Sequence, residues 1–512
     1  MGASRGRTVL WAAVALVSMS ADPARSQEDD DEAEDAGAGP AAVVAGPDRA
    51  VWLRQRIDAA IAARPALAPA RLAVLITDDA GTVLYERDAD RPYNLASVNK
   101  LATTAAALAL LGPQFEYQTH VYAERLHPDG TVDGNLYLRG RGDPSLGTLE
   151  LAALAREVWL AGVRSVRGGI VIDDGYFDQV GSPPHFDEQP KEQAAFRAPV
   201  SAVSINFNAF AFVVMPDPGG SGPAQVIVDP PCDYVDVQGT VTTVAGGQTN
   251  VIADSVVDHD KLLLKLSGQI RAGGGPERYR RRVADPLAFA GSAFRAQLRR
   301  AGVTVNRTRT ERGAVPRTAR ILATRSSPPM AELVRGLGKY SNNMVAEMLL
   351  KTLGAEPLAG TRPATWDDGL TRVRTFLTER IGLPAGSFKY ENGSGLFSAS
   401  AFSARQVVTI LAAGWKDFTW GPDLLTSLSI AGADGTLRRR MRKGPATLHI
   451  RAKTGTLAQT VTLAGYAGVE GGRPLFFAVL VNDLPKRGPA KTQARALMGE
   501  IGDTMAAYLG AK

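Results

Sequence analysis

The two ends of this chain share one texture, and a long stretch between them has another. Near the N-terminus a helical pattern over Val51–Ala63 precedes "LAVLITDDAGTVLYERDADRPYN". That stretch is two β-rich runs around Asp79-Ala80-Gly81 and reads as a hairpin. An apolar helix follows and stops at Gly112-Pro113. Near the C-terminus, "ATLHIRAKTG", "TVTLAGYAGVE" and "PLFFAVLVNDL" read as an antiparallel meander, with a helix over Thr492–Leu509 packed on it. From about Gln118 to Arg320 short β-rich runs alternate with Gly, Pro and Asp. Only "LAALAREVWLAG" and "LAFAGSAFRAQLRRAG" are clearly helical there. After Ala323 helical patterning returns with "MAELVRGLGKYSNNMVAEMLLKTLG". One domain split by a large insertion explains this better than three domains in a row.

At 512 residues the chain is long enough for two to four domains. Its 45% hydrophobic and 21% charged content is that of a globular protein with a sizeable core. A net charge of +6 is mild for this length. The basic runs Arg278–Arg282 and Arg438–Lys443 lack the interleaved aromatics of a base-stacking surface, so nucleic acid is not an expected partner. The single cysteine, Cys232, excludes an internal disulfide. Five scattered histidines form no His-Glu-x-x-His or His-x-His pair, and no phosphate-binding loop or Gly-x-Ser-x-Gly elbow occurs. No metal or cofactor is expected.

The chemistry points elsewhere. In "YNLASVNKLATTAAALALLG", Ser97 and Lys100 stand three residues apart, on one helix face. A serine hydroxyl is a poor nucleophile until a base takes its proton. A lysine can be that base if burial and neighbouring charge disfavour its ammonium form. Ser97 is the only serine of the chain with lysine at the third following position. The plain alternative is an N-cap serine and an exposed lysine. Two further pieces favour the catalytic reading. Ser341-Asn342-Asn343 opens an apolar helix, and Lys453-Thr454-Gly455-Thr456 lies at a strand end. Ser204-Ile205-Asn206 has the same Ser-x-Asn form but falls in the strand-like run "VSINFNAFAFVV". Ser341 is preferred because a helix start can present both side chains to a cleft.

This order of motifs resembles the penicillin-recognising serine enzymes. Ser97 and Ser341 are 244 positions apart, far more than in class A β-lactamases. So large an insertion resembles the D-alanyl-D-alanine carboxypeptidase/endopeptidase family, the low-molecular-mass class C penicillin-binding proteins. "LYLRGRGDPSL", "APVSAVSINFN", "SNNMVAEMLL", "NGSGLFSASAFSARQV" and "AGADGTLRRRM" also resemble that family's segments. One departure is Asn392, where an acidic residue usually precedes Gly-Ser-Gly.

The resemblance implies an α/β class, α+β sandwich fold. A transpeptidase/β-lactamase-like domain with a five-stranded antiparallel sheet flanked by helices would be built from about 51–118 and 321–512. The insertion, 119–320, would form two mainly β domains. Ser97 would attack the carbonyl between two D-alanines of a peptidoglycan stem peptide, with Lys100 as base. Ser341 would relay a proton to the leaving amine, with Asn343 orienting. Lys453 and Thr456, in the Lys453-Thr454-Gly455-Thr456 segment, would hold the substrate's terminal carboxylate. The backbone N–H groups of Ser97 and Thr456 would form the oxyanion hole. β-Lactams would be covalent inhibitors. A serine β-lactamase or esterase, and a non-catalytic wall-binding protein on the same fold, stay open as alternatives.

The N-terminus reads as an export leader. Arg5 and Arg7 precede the apolar "TVLWAAVALVSMSA", and Ala24 and Ser26 give a small-x-small site before Gln27. Residues 1–26 are thus expected to be a signal peptide and 27–50 an acidic, then Ala/Gly/Pro-rich, disordered linker. The mature chain is expected in the periplasm or secreted, without an integral membrane span. N-terminal sequencing of the protein from the envelope fraction should start between about Ala21 and Gln27. An intact Met1 in the membrane pellet would overturn this expectation.

Overall fold

The computed structural model describes residues 49–510, apart from 187, 189–191 and 398. The expected signal peptide and nearly all of the expected linker lie outside the described residues. Helix α1 (Arg49–Ala62) leads into strands β1 (Arg71–Asp78) and β2 (Val83–Arg87), and helix α2 (Lys100–Leu111) follows. Late in the chain come β3 (Ser429–Ile430), β4 (Ile450–Leu457), β5 (Thr460–Ala467) and β6 (Leu475–Asn482). They form one antiparallel sheet in the order β3-β4-β5-β6-β1-β2. Five long strands match the expected number, and the sixth, β3, is a two-residue strand at the edge beside β4.

β6, at the centre, is buried along its whole length, and so its sequence "LFFAVLVN" shows no alternation. Its odd and even positions face two different cores. Phe476, Ala478 and Leu480 join Ala73 and Leu75 of β1 in one apolar cluster. Leu475, Phe477, Val479 and Val481 join Leu72, Val74 and Ile76 in the other. The second cluster is closed by α1 and by the C-terminal helix, Ala490–Leu509.

Residues 118–326 lie between the two parts of this body and have their own apolar cluster. Strand Gln118–Leu126 pairs with Arg320–Ser326, so the chain leaves and re-enters through neighbouring strands. A seven-stranded sheet, a four-stranded sheet and a three-stranded sheet make up the stretch. Two helices, α3 (Thr148–Leu160) and α4 (Pro286–Arg300), contribute to the same cluster. The second half then adds α5 (Met330–Tyr340), α6 (Asn343–Ala355), α7 (Trp366–Thr375), α8 (Ala404–Lys416) and α9 (Gly421–Ser427) to the first cluster, with α10 (Ala490–Leu509) behind the sheet.

The helical pattern from Met330 to Leu353 is broken once. Ser341 caps α5 in the left-handed conformation (φ 58°), and Asn342 caps α6 by accepting from the Val345 N–H at 3.2 Å. Ser341 therefore stands in the joint between two helices rather than at the start of one. Phe477→Ala, at a fully buried site, should cost about 3–5 kcal/mol of stability in denaturant unfolding, the usual range for a core aromatic. Val83→Ala, at an exposed edge, should stay within about 0.5 kcal/mol.

Candidate active site

Ser97 lies in a 3-10 turn, Ala96–Asn99, that runs directly into α2. Lys100, not Ser97, is the first residue of the α-helix. The turn is held on several sides. Asn94 and Asn482 of β6 exchange two hydrogen bonds, at 2.7 and 3.0 Å. Asn94 Oδ1 accepts from the Ala96 N–H at 2.7 Å, and Thr462 of β5 donates to the Leu95 carbonyl at 2.7 Å. Ala96 is forced to φ 46°, a conformation that costs a non-glycine residue on the order of 1–3 kcal/mol. The surrounding bonds offset that cost and present Ser97, half-buried, over β4.

Lys100 is buried at 1% exposure. Its Nζ lies 2.9 Å from Ser97 Oγ, 2.7 Å from Asn343 Oδ1 and 2.8 Å from the Ser394 carbonyl. The last two atoms can only accept. A neutral amine has two N–H bonds and one lone pair, so with hydrogens given to those two acceptors its lone pair can face the Ser97 hydroxyl, as a general base for Ser97 requires.

Lys453 sits on β4 and is likewise 1% exposed. Its Nζ donates to Ser341 Oγ at 2.7 Å and to the Thr454 carbonyl at 2.8 Å. With its oxygen accepting from Lys453, the Ser341 hydroxyl keeps its own hydrogen to give away. Thr454 donates to Thr436 Oγ1 at 2.8 Å, which fastens the 435–437 turn to β4. Gly455 lies under the Ser97 turn. A Cβ there would stand 2.3 Å from Thr462 Oγ1, 2.7 Å from the Leu95 carbonyl and 2.9 Å from the Ser97 nitrogen. Only the absence of a side chain lets β4 approach this closely. Thr456, half-buried, follows on the same strand.

The structure thus gathers all eight sequence-predicted residues on the Ser97 turn with the start of α2, the α5–α6 joint and β4. Ser204 is not among them. It is buried in the inserted stretch, where Oγ donates to the Ser201 carbonyl at 2.7 Å and accepts from Asn208. Ser204 precedes the strand Ala209–Met215 rather than lying in it. Two groups at the site have no motif of their own. One is the Ser394 carbonyl, the other the Phe196 carbonyl, which accepts from Asn343 Nδ2 at 3.2 Å and brings the insertion to the site. Backbone atoms carry no residue signature. Among the described residues no group of three or more His, Cys, Asp or Glu could hold a metal ion.

Comparison with known proteins agrees in kind with this geometry. The family model for the D-Ala-D-Ala carboxypeptidase 3 (S13) family matches residues 53–504. The chain belongs to the peptidase S13 family. A D-alanyl-D-alanine carboxypeptidase from an Actinomadura species is 35% identical over 93% of this chain and 88% of the relative. The D-alanyl-D-alanine carboxypeptidase DacB of Haemophilus influenzae is 26% identical over 79% of this chain and 85% of its own length. The crystal structure of penicillin binding protein 4 (dacB) from H. influenzae superposes with a TM-score of 0.73. It covers 89% of this chain and 99% of that one at 22% identity, a likeness of fold. This S13 member is a hydrolase with the D-Ala-D-Ala carboxypeptidase function of its family. No helix among its described residues is long and apolar enough to cross a membrane.

The close approach at Gly455 gives a direct check on the site. Gly455→Ala should push β4 off the Ser97 turn and slow hydrolysis of a D-Ala-D-Ala peptide on the order of 10²-fold, as a displacement of about an ångström does. Release of D-alanine measures this. An unchanged rate would show that the strand and turn need not meet.

Proposed function

We propose that the protein is a serine-type D-Ala-D-Ala carboxypeptidase that works through an acyl-enzyme on Ser97. Its substrates are peptidoglycan stem peptides, and β-lactams block it covalently. The observation that carries this reading is the buried Lys100 amine, set 2.9 Å from Ser97 Oγ with two acceptor-only partners on its other sides. Lys100 takes the hydroxyl proton as Oγ bonds to the carbonyl carbon between the two D-alanines. The backbone N–H groups of Ser97 and Thr456 receive the oxyanion. The C–N bond then breaks, and the leaving amine takes a proton through Ser341, which Lys453 orients. Lys453 and the Thr456 hydroxyl bind the terminal carboxylate. Water attacks the ester carbonyl and gives a proton to the base, the C–O bond to Ser97 breaks, the base returns that proton to Ser97 Oγ, and the shortened peptide leaves.

An endopeptidase uses the same acyl-enzyme, and differs only in the size of the amine that departs from the scissile amide. The insertion, read from the sequence as two mainly β domains over about 119–320, would present larger wall fragments to the catalytic serine. Peptidoglycan lies outside the cytoplasmic membrane, in keeping with the export leader expected at the N-terminus.

Penicillin labelling tests the reading. A β-lactam acylates the nucleophile, but its ring nitrogen stays tethered and cannot depart, so the adduct persists. Mass spectrometry should find it on Ser97, and Ser97→Ala should abolish it. Lys100→Ala should slow acylation by at least ~10²-fold, the lower range of general-base catalysis. Because only the neutral amine can accept a proton, acylation should rise with pH. Digestion of purified sacculi should release D-alanine. Persistent labelling of Ser97→Ala, or a normal rate in Lys100→Ala, would overturn the assignment. Fast turnover of penicillin with no action on sacculi would mark a β-lactamase instead.

A further inference from the structure

Glu347 lies on α6, one turn after Asn343, and is 2% exposed. The steps assigned to Ser97, Lys100, Ser341 and Lys453 give it no task. Isolated carboxylates are rarely buried so deeply, because the loss of water is costly unless hydrogen bonds replace it. Here both oxygens are used. Oε2 accepts from the Gly393 N–H and Oε1 from the Ser394 N–H, each at 2.8 Å. Those two N–H groups belong to the turn whose next carbonyl, that of Ser394, accepts from Lys100 Nζ at 2.8 Å.

The turn has little room to move elsewhere. Asn392 Oδ1 accepts from the Gly395 N–H at 2.7 Å, and Asn99 Nδ2 donates to the Asn392 carbonyl at 2.8 Å. Thr103 donates to the Gly393 carbonyl at 2.6 Å. Gly395 is left-handed (φ 74°), and a Cβ on it would stand 2.0 Å from the Ala96 carbonyl. The segment is therefore clamped between α2, with the Ser97 turn, on one side and Glu347 on the other. Two of the Lys100 acceptors, Asn343 Oδ1 and the Ser394 carbonyl, are both placed by α6: one directly, one through Glu347.

We propose that Glu347 is a positioning residue for the base: it fixes the Ser394 carbonyl against Lys100, and its negative charge sets the pH at which Lys100 becomes competent. This inference rests on the Ser97–Lys100 reading. Burial holds the Glu347 carboxyl above the usual carboxylate range, and the Ser394 and Gly393 hydrogen bonds and the nearby Lys100, which favour its charged form, offset only part of that rise. The titratable groups around the carboxylate are Lys100 on α2 and Tyr390, whose carbonyl accepts from Arg374 of α7. Lys453 of β4 stands one step further, through Ser341. An anion beside Lys100 favours its ammonium form, so removing the anion lets the amine become neutral at lower pH.

The test is the rate of acylation by a fluorescent penicillin as a function of pH, in the full-length protein. Rates are taken per molecule labelled at saturation, so misfolded protein does not enter. Glu347→Gln puts an NH2 group against a backbone N–H and removes the charge. It should lower the plateau rate at least ~10-fold and move the acidic limb to lower pH by about one unit. Glu347→Asp keeps the charge but is one methylene short. It should lower the plateau and leave the limb where it is in the wild type. A wild-type plateau in Glu347→Gln, or an unmoved limb, overturns the proposal. So does a variant that only melts earlier while its labelled molecules react normally, since that is a purely structural role. Ser97→Ala run alongside separates the two levels: labelling there would sink the nucleophile assignment itself, whereas an unlabelled Ser97→Ala with a normal Glu347→Gln would sink only this inference.

Discussion

A lysine amine taken out of water holds this site together. Burying Lys100 is unfavourable for its charged form, and whatever form it takes must find polar partners inside the protein. Three of those partners come from three separate pieces of chain: the Ser97 turn, the start of α6 and the 392–395 turn. Each piece is placed by its own contacts. The Ser97 turn is bonded to β5 and β6, α6 is capped by Asn342, and the 392–395 turn is pinned to α2 and Glu347. In the proposed mechanism the chemistry follows from the placing of this amine 2.9 Å from Ser97 Oγ.

A second buried lysine repeats the pattern on the sheet. Lys453 on β4 bonds Ser341 across the α5–α6 joint. Ser341 and Asn343 are two residues apart, so one short segment touches both lysines. The left-handed backbone at Ser341 makes this possible, since it turns the chain between two helices without a loop. The insertion reaches the same segment through the Phe196 carbonyl on Asn343. It is anchored again further along α6, where the buried Lys351 donates to the Val180 carbonyl at 2.8 Å and pairs with Asp178.

Much of this was legible in residue order. The spacing of Ser97 and Lys100, the Ser341-Asn342-Asn343 and Lys453-Thr454-Gly455-Thr456 segments and the hairpin at Asp79-Ala80-Gly81 are local patterns, and local patterns survive in sequence. What was hidden is non-local or made of backbone. β3 is two residues long and has no periodicity to read. The break at Ser341 needs a left-handed serine, which nothing in its neighbours announces. The end of the inserted sheet is set by the pairing of Gln118–Leu126 with Arg320–Ser326, not by a change of composition. Ser394 acts through its carbonyl. Glu347 alone left a trace: an acid inside the apolar run "NMVAEMLL", four residues after Asn343, on the same helical face.

The strand order has a consequence for how the molecule comes into being. β1 lies between β2 and β6, and Arg71 of β1 faces Asn482 of β6, about four hundred residues later in the chain. Closing so long a loop costs only slowly growing entropy, but contacts this distant form late. During synthesis β1 and the Ser97 turn have no sheet to rest on until the last quarter of the chain has been made. An incomplete chain has Ser97 and Lys100 but lacks β4, β5 and β6 to seat them. The Ser97 site is therefore assembled last, and a hydrolase of this design stays unarmed until its own C-terminal strands arrive.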